Sequence, residues 1–240
     1  MNILLDLLAA LRTDAAADRV AVGPFLTAVA AGSRAGLVTT LLPPRHQHQE
    51  PAAADCGTYA GRPVAELARL VLSKRPLEAS LGLAALNAGL PLPKERLREQ
   101  NGLDYLRARV EDRNLALVGH FPFAQALAPV ARQCWILEQD PREGDLPAAA
   151  AERVIPNSDI VVVTGSAFAN HSLDGILELA RGKEVVVLGP STPLSPVLFA
   201  HGVTAAAGTW VEDVDWVLRQ VGEGSVFRQL RGVKRVILEK

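Results

Sequence analysis

Cysteine is scarce in this sequence, and its scarcity limits both redox and metal chemistry. The 240 residues contain two cysteines, Cys56 and Cys134, which lie far apart and form no C-x-x-C pair. Two isolated cysteines cannot build a disulfide framework, so a reducing, cytoplasmic location is expected. An H-E-x-x-H motif and carboxylate clusters with ligand spacing are also missing, so the sequence carries none of the common metal-site signatures.

The chain also has little net charge and no long apolar run. With a formal net charge of -1 at pH 7, the chain lacks the excess of positive charge that binds nucleic acid or an anionic membrane. No apolar run approaches the roughly 18 residues of a spanning helix, and the acidic N-terminal segment does not resemble a signal peptide. We therefore expect a soluble protein that binds a small molecule or a metal ion, not nucleic acid or a membrane. The sequence does not indicate the oligomeric state.

The first ninety residues combine helical and strand patterns. Leu4, Leu5, Leu8 and Leu11 lie at helical spacing and predict an amphipathic first helix. Apolar segments predict a small antiparallel sheet at 19–22, 27–31 and 35–42, followed by a loop over 45–61. Helices are then predicted over 64–73 and 77–89. The second is crowded with Ala, Gly and Ser, which is typical of a helix enclosed by close neighbours.

Prolines separate this region from a second pattern. Pro91 and Pro93 form a stiff linker. Beyond it, apolar runs at 115–119, 134–138, 160–164 and 184–189 are typical of strands buried on both faces. Helices are predicted between and around them, at 95–111, 121–132, 146–153, 172–181 and 211–221. The predicted fold class is α/β, with a small α+β domain over 1–92 and a Rossmann-like, doubly wound parallel sheet over 93–240.

A ligand site is expected at the carboxyl ends of these strands, beside the point where the strand order reverses. Glycines and polar side chains gather there, although some of them could serve only as turn formers or helix caps. The candidates are Gly119, His120 and Phe121 after the first run, Glu138 after the second, Thr164, Gly165, Asn170 and His171 after the third, and Gly189, Pro190, Ser191, Thr192 and Pro193 after the fourth.

Several of these residues have competing interpretations. Glu138 follows Gly119 at about the spacing of a ribose-binding acid, or it is simply a surface carboxylate. The sequence GHFPF replaces the G-x-G-x-x-G fingerprint, so NAD is not expected, whereas a nucleoside without a diphosphate is compatible. The Gly189–Pro193 turn could cradle an anion or act as a rigid corner.

Each histidine could be either a metal ligand or a structural residue. His120 and His171 could converge on a transition metal, or each could cap a helix or bond a backbone carbonyl. His46 and His48 could chelate weakly, or lie in a solvated loop. Ser166 is not in a G-x-S-x-G elbow, so serine hydrolase chemistry is not expected.

The predicted helix over 77–89 adds two candidates from the first domain. Glu78 begins the helix, where the helix dipole favours a carboxylate. Asn87 shares a helix face with Ser80, and polar groups on an enclosed helix need partners from the backbone or from a ligand. We expect this helix to roof the strand ends and to form a single cavity with them.

Five segments together resemble a prokaryotic family of uncharacterised proteins known as the "putative heavy-metal chelation" domain. They are LEASLGLAALNA from Leu77, VGHFPF from Val118, LEQDPREGDLP from Leu137, DIVVVTGS from Asp159 and LGPSTPLSPVLFAHGV from Leu188. The resemblance implies an enolase N-terminal-like domain before a Rossmann-like domain, and a pocket between them. It further implies that Glu78, Asn87, His120, Glu138, Asn170 and the Gly189–Pro193 turn face that pocket. Enolase chemistry is not implied, because the enolase barrel and its magnesium carboxylates have no counterpart.

Two functions follow as hypotheses. The first is a binding protein that sequesters or presents a metal or a metal–chelator complex, with an unidentified cofactor that could be a transition metal. The second is an enzyme acting on a nucleoside-, pterin- or chelator-precursor-like metabolite, with unknown catalytic residues. A purely structural role fits poorly with so many polar strand ends.

Overall fold

The computed structural model describes residues 2–43 and 51–240. Its N-terminal part places a three-stranded antiparallel sheet, in the order β1-β2-β3, beside three helices. A 3-10 turn over Arg69–Leu72 continues the second helix. The elements are α1 (Ile3–Ala9), β1 (Arg19–Val22), β2 (Leu26–Ala31), β3 (Arg34–Thr39), α2 (Val64–Ala68) and α3 (Pro76–Gly89).

Helix α3 is enclosed, as its composition predicts. Twelve of its fourteen residues are buried. A Cβ atom at Gly36 of β3 would lie 2.0 Å from the Ala84 carbonyl oxygen, and one at Gly82 would lie 1.9 Å from the Val71 nitrogen. The small residues are therefore needed because backbone approaches α3 from both sides.

The second part of the chain is built on an eight-stranded sheet with the order β4-β11-β10-β9-β8-β5-β6-β7. Six strands, from β7 to β10, are parallel, and β11 and β4 extend the sheet antiparallel at one edge. The strands are β4 (Arg98–Glu99), β5 (Asn114–Val118), β6 (Gln133–Glu138), β7 (Leu146–Pro147), β8 (Ile160–Thr164), β9 (Glu184–Leu188), β10 (Ala205–Val211) and β11 (Val233–Glu239). Numbered along the chain, the parallel strands follow the doubly wound order 3-2-1-4-5-6, which reverses between β5 and β8.

Both faces of the large sheet are covered, so its strands are apolar on both sides. Leu115, Leu117 and Val162 pack with residues of α4 and α5. On the opposite face, Ala116 and Val161 join the core that contains α1, α3, α6, α7 and α8. The helices are α4 (Gly102–Arg107), α5 (Ala124–Leu127), α6 (Ala151–Val154), α7 (Leu173–Leu179), α8 (Val197–Ala200) and α9 (Val214–Gly222).

Several predicted elements need correction. The charged helix predicted over 95–111 starts only at Gly102, because Asn101 caps α4 by accepting from the Asp104 nitrogen at 2.9 Å. Residues 98–99 instead pair with β11. The segment 146–153 begins as strand β7, the third small strand ends at Thr39 rather than 42, and Leu5 of α1 is 51% exposed.

The small sheet is shared between the two parts of the chain. Helix α3 covers one of its faces, and α9 covers the other. Val217 and Val221 of α9 pack against Leu26 and Ala28 of β2. The boundary at residues 92–93 stays a prediction, since apolar contacts are continuous across it. Within residues 2–43 and 51–240, no helix has both the length and the apolar character that crossing a membrane requires.

Candidate functional site

A cleft of about 460 Å³ lies at the point where the strand order reverses. Its walls are the carboxyl ends of β5, β6 and β8, together with Thr39 of the small sheet. Gly119 adopts a φ of 110°, and a Cβ atom there would lie 2.9 Å from Thr164 Cβ. Glycine is thus required where β5 turns beside β8. The predicted residues that line this cleft are Gly119, His120, Glu138, Thr164 and Asn170.

His120 and Asp145 form a pair at this cleft. His120 Nδ1 lies 3.4 Å from Asp145 Oδ2, and the side chain of Asp145 is only 3% exposed whereas that of His120 is 34% exposed. This contact is of ion-pair length and is not a hydrogen bond, and the same Oδ2 accepts from the Arg142 nitrogen at 3.1 Å. Because His120 lines the cleft, a ring nitrogen of its imidazole can serve there as a hydrogen-bond acceptor or as a metal ligand.

The other polar groups of the cleft are oriented by local hydrogen bonds. Glu138 Oε2 accepts from the Gln139 nitrogen at 3.1 Å. Asn170 Oδ1 accepts from both the nitrogen and the hydroxyl of Ser172. Ser172 therefore stands at the N-cap position of α7 without capping it through its side chain. The cleft presents a carboxylate, an imidazole, amides and hydroxyls around an apolar floor.

Phe121 and Gly165 flank the cleft without lining it. Phe121 is buried on the α5 side of the sheet and stacks on Phe123, with ring centroids 5.3 Å apart. A Cβ atom at Gly165 would lie 2.7 Å from the Thr192 nitrogen, so this glycine lets the Gly189–Pro193 turn approach β8. Both residues shape the site through packing.

Glu78 does not line the cleft, and its carboxylate already has hydrogen-bond partners. It accepts from the Ala54 nitrogen at 2.8 Å, the Ser73 hydroxyl at 2.5 Å and Arg75 Nη1 at 3.0 Å. Burial alone would raise the pKa of this carboxyl, but the three hydrogen bonds outweigh burial and lower the pKa. Glu78 holds the segment that precedes α3.

Asn87 and the Gly189–Pro193 turn border a second, smaller cavity of about 80 Å³. Asn87 Nδ2 donates to the Ser191 carbonyl at 3.2 Å. The hydroxyl of Ser191 accepts from the nitrogen of Thr39, a residue that lines the cleft. Ser191, Thr192 and Pro193 are buried, and the turn contacts both α3 and β3, so the anion-cradle and rigid-corner interpretations both stay predictions. The single cavity expected from the sequence is therefore two cavities, with the turn in contact with residues of both.

The two candidate metal histidines do not converge. His171 has a positive φ of 61°, and its Nε2 lies 2.8 Å from the Val71 carbonyl oxygen. It lines a third cavity, of about 240 Å³, between α1 and α7. Among residues 2–43 and 51–240, no group of three or more His, Cys, Asp or Glu side chains could hold a metal ion. His46 and His48 lie outside the described residues.

Sequence reasoning missed several site residues. Asp145 lies within a polar run, and only its contact with His120 marks it. Arg34 and Lys94 line the small cavity but come from segments with no motif. Thr39 lies at the end of β3, which the sequence predicts as a strand without indicating that it reaches the cleft.

Two family models match the sequence. Residues 101–239 match a family described as "putative heavy-metal chelation", and residues 5–90 match a second model with the same description. An uncharacterised protein of Methanocaldococcus jannaschii is 30% identical over 152 residues. That match covers 59% of this chain, which spans 58% of the length of that protein.

Two crystal structures of proteins with unknown function, both from the family matched by residues 101–239, are similar to this fold. The protein from Desulfitobacterium hafniense superposes with a TM-score of 0.85 at 26% identity, covering 99% of this chain and 98% of that one. The protein from Pyrococcus horikoshii has a TM-score of 0.80 at 19% identity, with the same coverage, and this second likeness shows the fold alone. The α/β arrangement of both parts is therefore common to these proteins.

Proposed function

Because the chain belongs to the family described as "putative heavy-metal chelation", we propose that it binds a small metal-chelating molecule in the cleft beside His120. The ligand is either that organic molecule or its complex with a transition metal. The observation that carries the proposal is the His120–Asp145 pair at the cleft. Metal-binding histidines commonly donate their second ring N–H to a carboxylate, which fixes the tautomer and strengthens the metal–nitrogen bond.

The residues of the cleft fit a metal that is already chelated better than a bare ion. Protein sites for transition metals use three or four side chains, such as the His and Cys sets that hold zinc. Within the described residues no such group of three is present. One imidazole can fill one position on a metal whose other positions a chelator occupies.

The size and lining of the cleft support a small organic ligand. A volume of about 460 Å³ lies within the range of typical small-molecule sites. Val118, Leu137 and Ile176 supply apolar surface, whereas Glu138 and Asn170 supply polar groups. Such a site can hold the organic part of a complex while His120 contacts its metal.

The test is an equilibrium titration of the purified protein with Ni²⁺ alone and with the Ni²⁺–nitrilotriacetate complex. We expect one site for the complex and weaker binding of the free ion. His120→Ala removes the imidazole that would bind the metal, and Asp145→Asn removes the carboxylate beside it. Each substitution should weaken binding of the complex by about tenfold or more.

The control is His171→Ala, which removes an imidazole that lines a different cavity. It should bind the complex as the wild type does. Equal binding by His120→Ala and wild type would overturn the proposal. So would failure of the wild type to bind the nitrilotriacetate complexes of Fe, Co, Ni, Cu and Zn.

A second candidate is an enzyme that acts on a nucleoside-, pterin- or chelator-precursor-like metabolite, and the position of Glu138 favours it. Glu138 ends β6, the second strand of the doubly wound order, where a ribose-binding acid lies in nucleotide sites of this topology. Helix α5, which follows β5, has only four residues and offers no extended helix start to a pyrophosphate.

S-Adenosylmethionine, adenosine and a pterin are the probes for this candidate. If it is right, one of them raises the thermal midpoint without metal, and Glu138→Gln abolishes that shift. A shift that survives Glu138→Gln, or no shift with any probe, would count against the enzyme.

A further inference from the structure

The small cavity beside the Gly189–Pro193 turn carries positive charge and contains no acid. Its charged lining residues are Arg34, from β3, and Lys94, which follows α3, and no Asp or Glu lines it. The cavity is separate from the cleft, and none of its lining residues lines the cleft.

Neither cation has a carboxylate partner within the described part of the chain. The only hydrogen bond found there for the Arg34 side chain runs from Nη2 to the Asn87 carbonyl, at 3.5 Å, which is the limit for such a bond. Burial lowers the pKa of Arg34, because it removes water from around the charged guanidinium. Lys94 Nζ lies 5.2 Å from the centre of the Trp210 ring and forms no ion pair there.

Three buried polar atoms around the same cavity lack hydrogen-bond partners. They are Asn87 Oδ1, Thr192 Oγ1 and Thr209 Oγ1, and all three residues line the cavity. Thr192 is 2% exposed, so its hydroxyl has little access to bulk water. Buried polar atoms are nearly always satisfied in folded proteins, and three unsatisfied atoms around one space indicate an occupant.

The two cations and the three unpartnered polar atoms together define the chemistry of an occupant of the small cavity. Arg34, Lys94 and the two threonine hydroxyls can donate to the oxygens of an anion. Asn87 Oδ1 can only accept, because its Nδ2 already donates to Ser191, so it needs an O–H or N–H from the ligand. Water could satisfy the hydroxyls and hydrate the exposed Lys94, but it would leave the charge of the partly buried Arg34 without a counter-charge. The cavity, of about 80 Å³, has room for a group of a few heavy atoms.

We propose that this cavity is a second binding site, for a small oxyanion that also carries a hydrogen-bond donor. Hydrogen phosphate and small hydroxy- or aminocarboxylates share this chemistry. The anion bridges β3, the end of α3, the Gly189–Pro193 turn and β10, and it pairs with Arg34 and Lys94.

The test is a calorimetric titration of the metal-free protein with inorganic phosphate, glycolate and acetate at constant ionic strength set with chloride. Phosphate and glycolate are expected to bind at one site. Acetate has no donor for Asn87 and should bind about fivefold more weakly than glycolate, as expected for one neutral hydrogen bond. Binding of phosphate alone identifies a phosphate site, and binding of glycolate alone identifies a carboxylate site.

Variants locate the anion. Arg34→Gln and Thr192→Val should each weaken binding, the first by about tenfold or more because it removes a charged donor. Lys94→Gln changes an exposed side chain, so its weaker binding cannot be ascribed to unfolding. Arg181→Gln removes an exposed arginine that lines none of the three cavities and should bind as the wild type does.

The proposal fails if neither phosphate nor glycolate binds at about 10 mM, well above the dissociation constants of ordinary metabolite sites. It also fails if Lys94→Gln and Arg34→Gln both bind with wild-type affinity. A loss in Arg181→Gln as large as that in Arg34→Gln would mean nonspecific attraction and would equally overturn it.

Discussion

At the residue scale, Glu78 and His120 show how burial and partners separate a structural group from a candidate ligand. Glu78 is buried and accepts three hydrogen bonds, one from Ala54 and two from the segment that contains Ser73 and Arg75. His120 is one-third exposed and has one long contact, to a buried carboxylate. The saturated group stabilises the fold, and the group with spare hydrogen-bonding capacity faces the cleft.

Replacing Glu78 by Gln should destabilise the protein in a pH-dependent way. We expect a loss of roughly 1–3 kcal/mol in the free energy of unfolding at pH 7, because the amide cannot accept all three hydrogen bonds. The pKa of Glu78 is lowered in the folded state. Its stabilising effect is therefore complete above the unfolded-state pKa of about 4.3, and it is lost as the pH falls through the lower folded-state value. Urea unfolding at pH 7 and at pH 3 measures both effects.

Glu66→Gln is the matched control for this substitution. Glu66 pairs with Arg62 at 2.6 Å, but its side chain is 49% exposed, so its loss should cost no more than about 1 kcal/mol. Equal losses at the two positions, or a Glu78→Gln deficit that is the same at pH 3 as at pH 7, would contradict the assignment.

The sequence predicts part of the site because strand ends can be located from apolar runs. Gly119, Glu138 and Thr164 lie at the edge where the topology rule puts them. Asp145 and Arg34 could not be found in this way, since a side chain becomes part of a site only when distant segments meet. His171 fails as a cleft residue because its positive φ turns the chain and its ring reaches Val71.

At the scale of elements, the contact between α3 and β3 is set by backbone rather than by side chains. Gly36 lies against Ala84 and the Asn87 Cβ atom, with no room for a methyl group. This close approach brings Asn87 to the small cavity beside Arg34. The glycine therefore supports both the core and the proposed anion site.

Gly36→Ala should destabilise the fold, whereas Gly175→Ala should stabilise it. A Cβ atom at position 36 would force the strand and helix apart, at a cost of roughly 1–3 kcal/mol or more. At Gly175, inside α7, nothing lies within 4 Å of an added Cβ atom, so Ala should add about 0.5–1 kcal/mol through helix propensity. Thermal and urea unfolding of both variants provide the measurement. If Gly36→Ala left stability unchanged or raised it, the packing described for α3 would be wrong.

Strands with a continuous apolar run are predictable from the sequence, and elements that depend on a partner are not. The runs that form β5, β8 and β9 are recognisable alone because strands buried on both faces need continuous apolar side chains. Strand β10 begins with three alanines and becomes a strand by pairing with β9 and β11. Residues 98–99 carry a helical charge pattern, and pairing with β11 overrides it.

At the scale of the whole molecule, the two parts of the chain are bound together by the small sheet. Helix α9 covers the face that α3 does not, through Val217, Leu218 and Val221. The small sheet would otherwise expose Leu26, Ala28 and Leu37 to water. Neither part of the chain completes its own core.

Unfolding should accordingly occur in one transition. Trp135, Trp210 and Trp216 all lie beyond residue 93, so tryptophan fluorescence reports on that part, whereas far-UV circular dichroism reports on the whole chain. We expect the two urea unfolding curves to coincide. Val217→Ala should shift both curves together, because it opens a cavity in the shared core at a cost of a few kcal/mol. Separate transitions, or a shift in only one signal, would mean that the parts unfold independently.

The position of α9 also has a consequence during synthesis on the ribosome. About 175 residues separate the end of β3 at Thr39 from the start of α9 at Val214. At about 5–20 residues per second, the small sheet emerges some 10–35 seconds before its cover. For that interval the apolar face of the small sheet that α9 will cover is exposed on the nascent chain. We expect a chaperone to bind this face first.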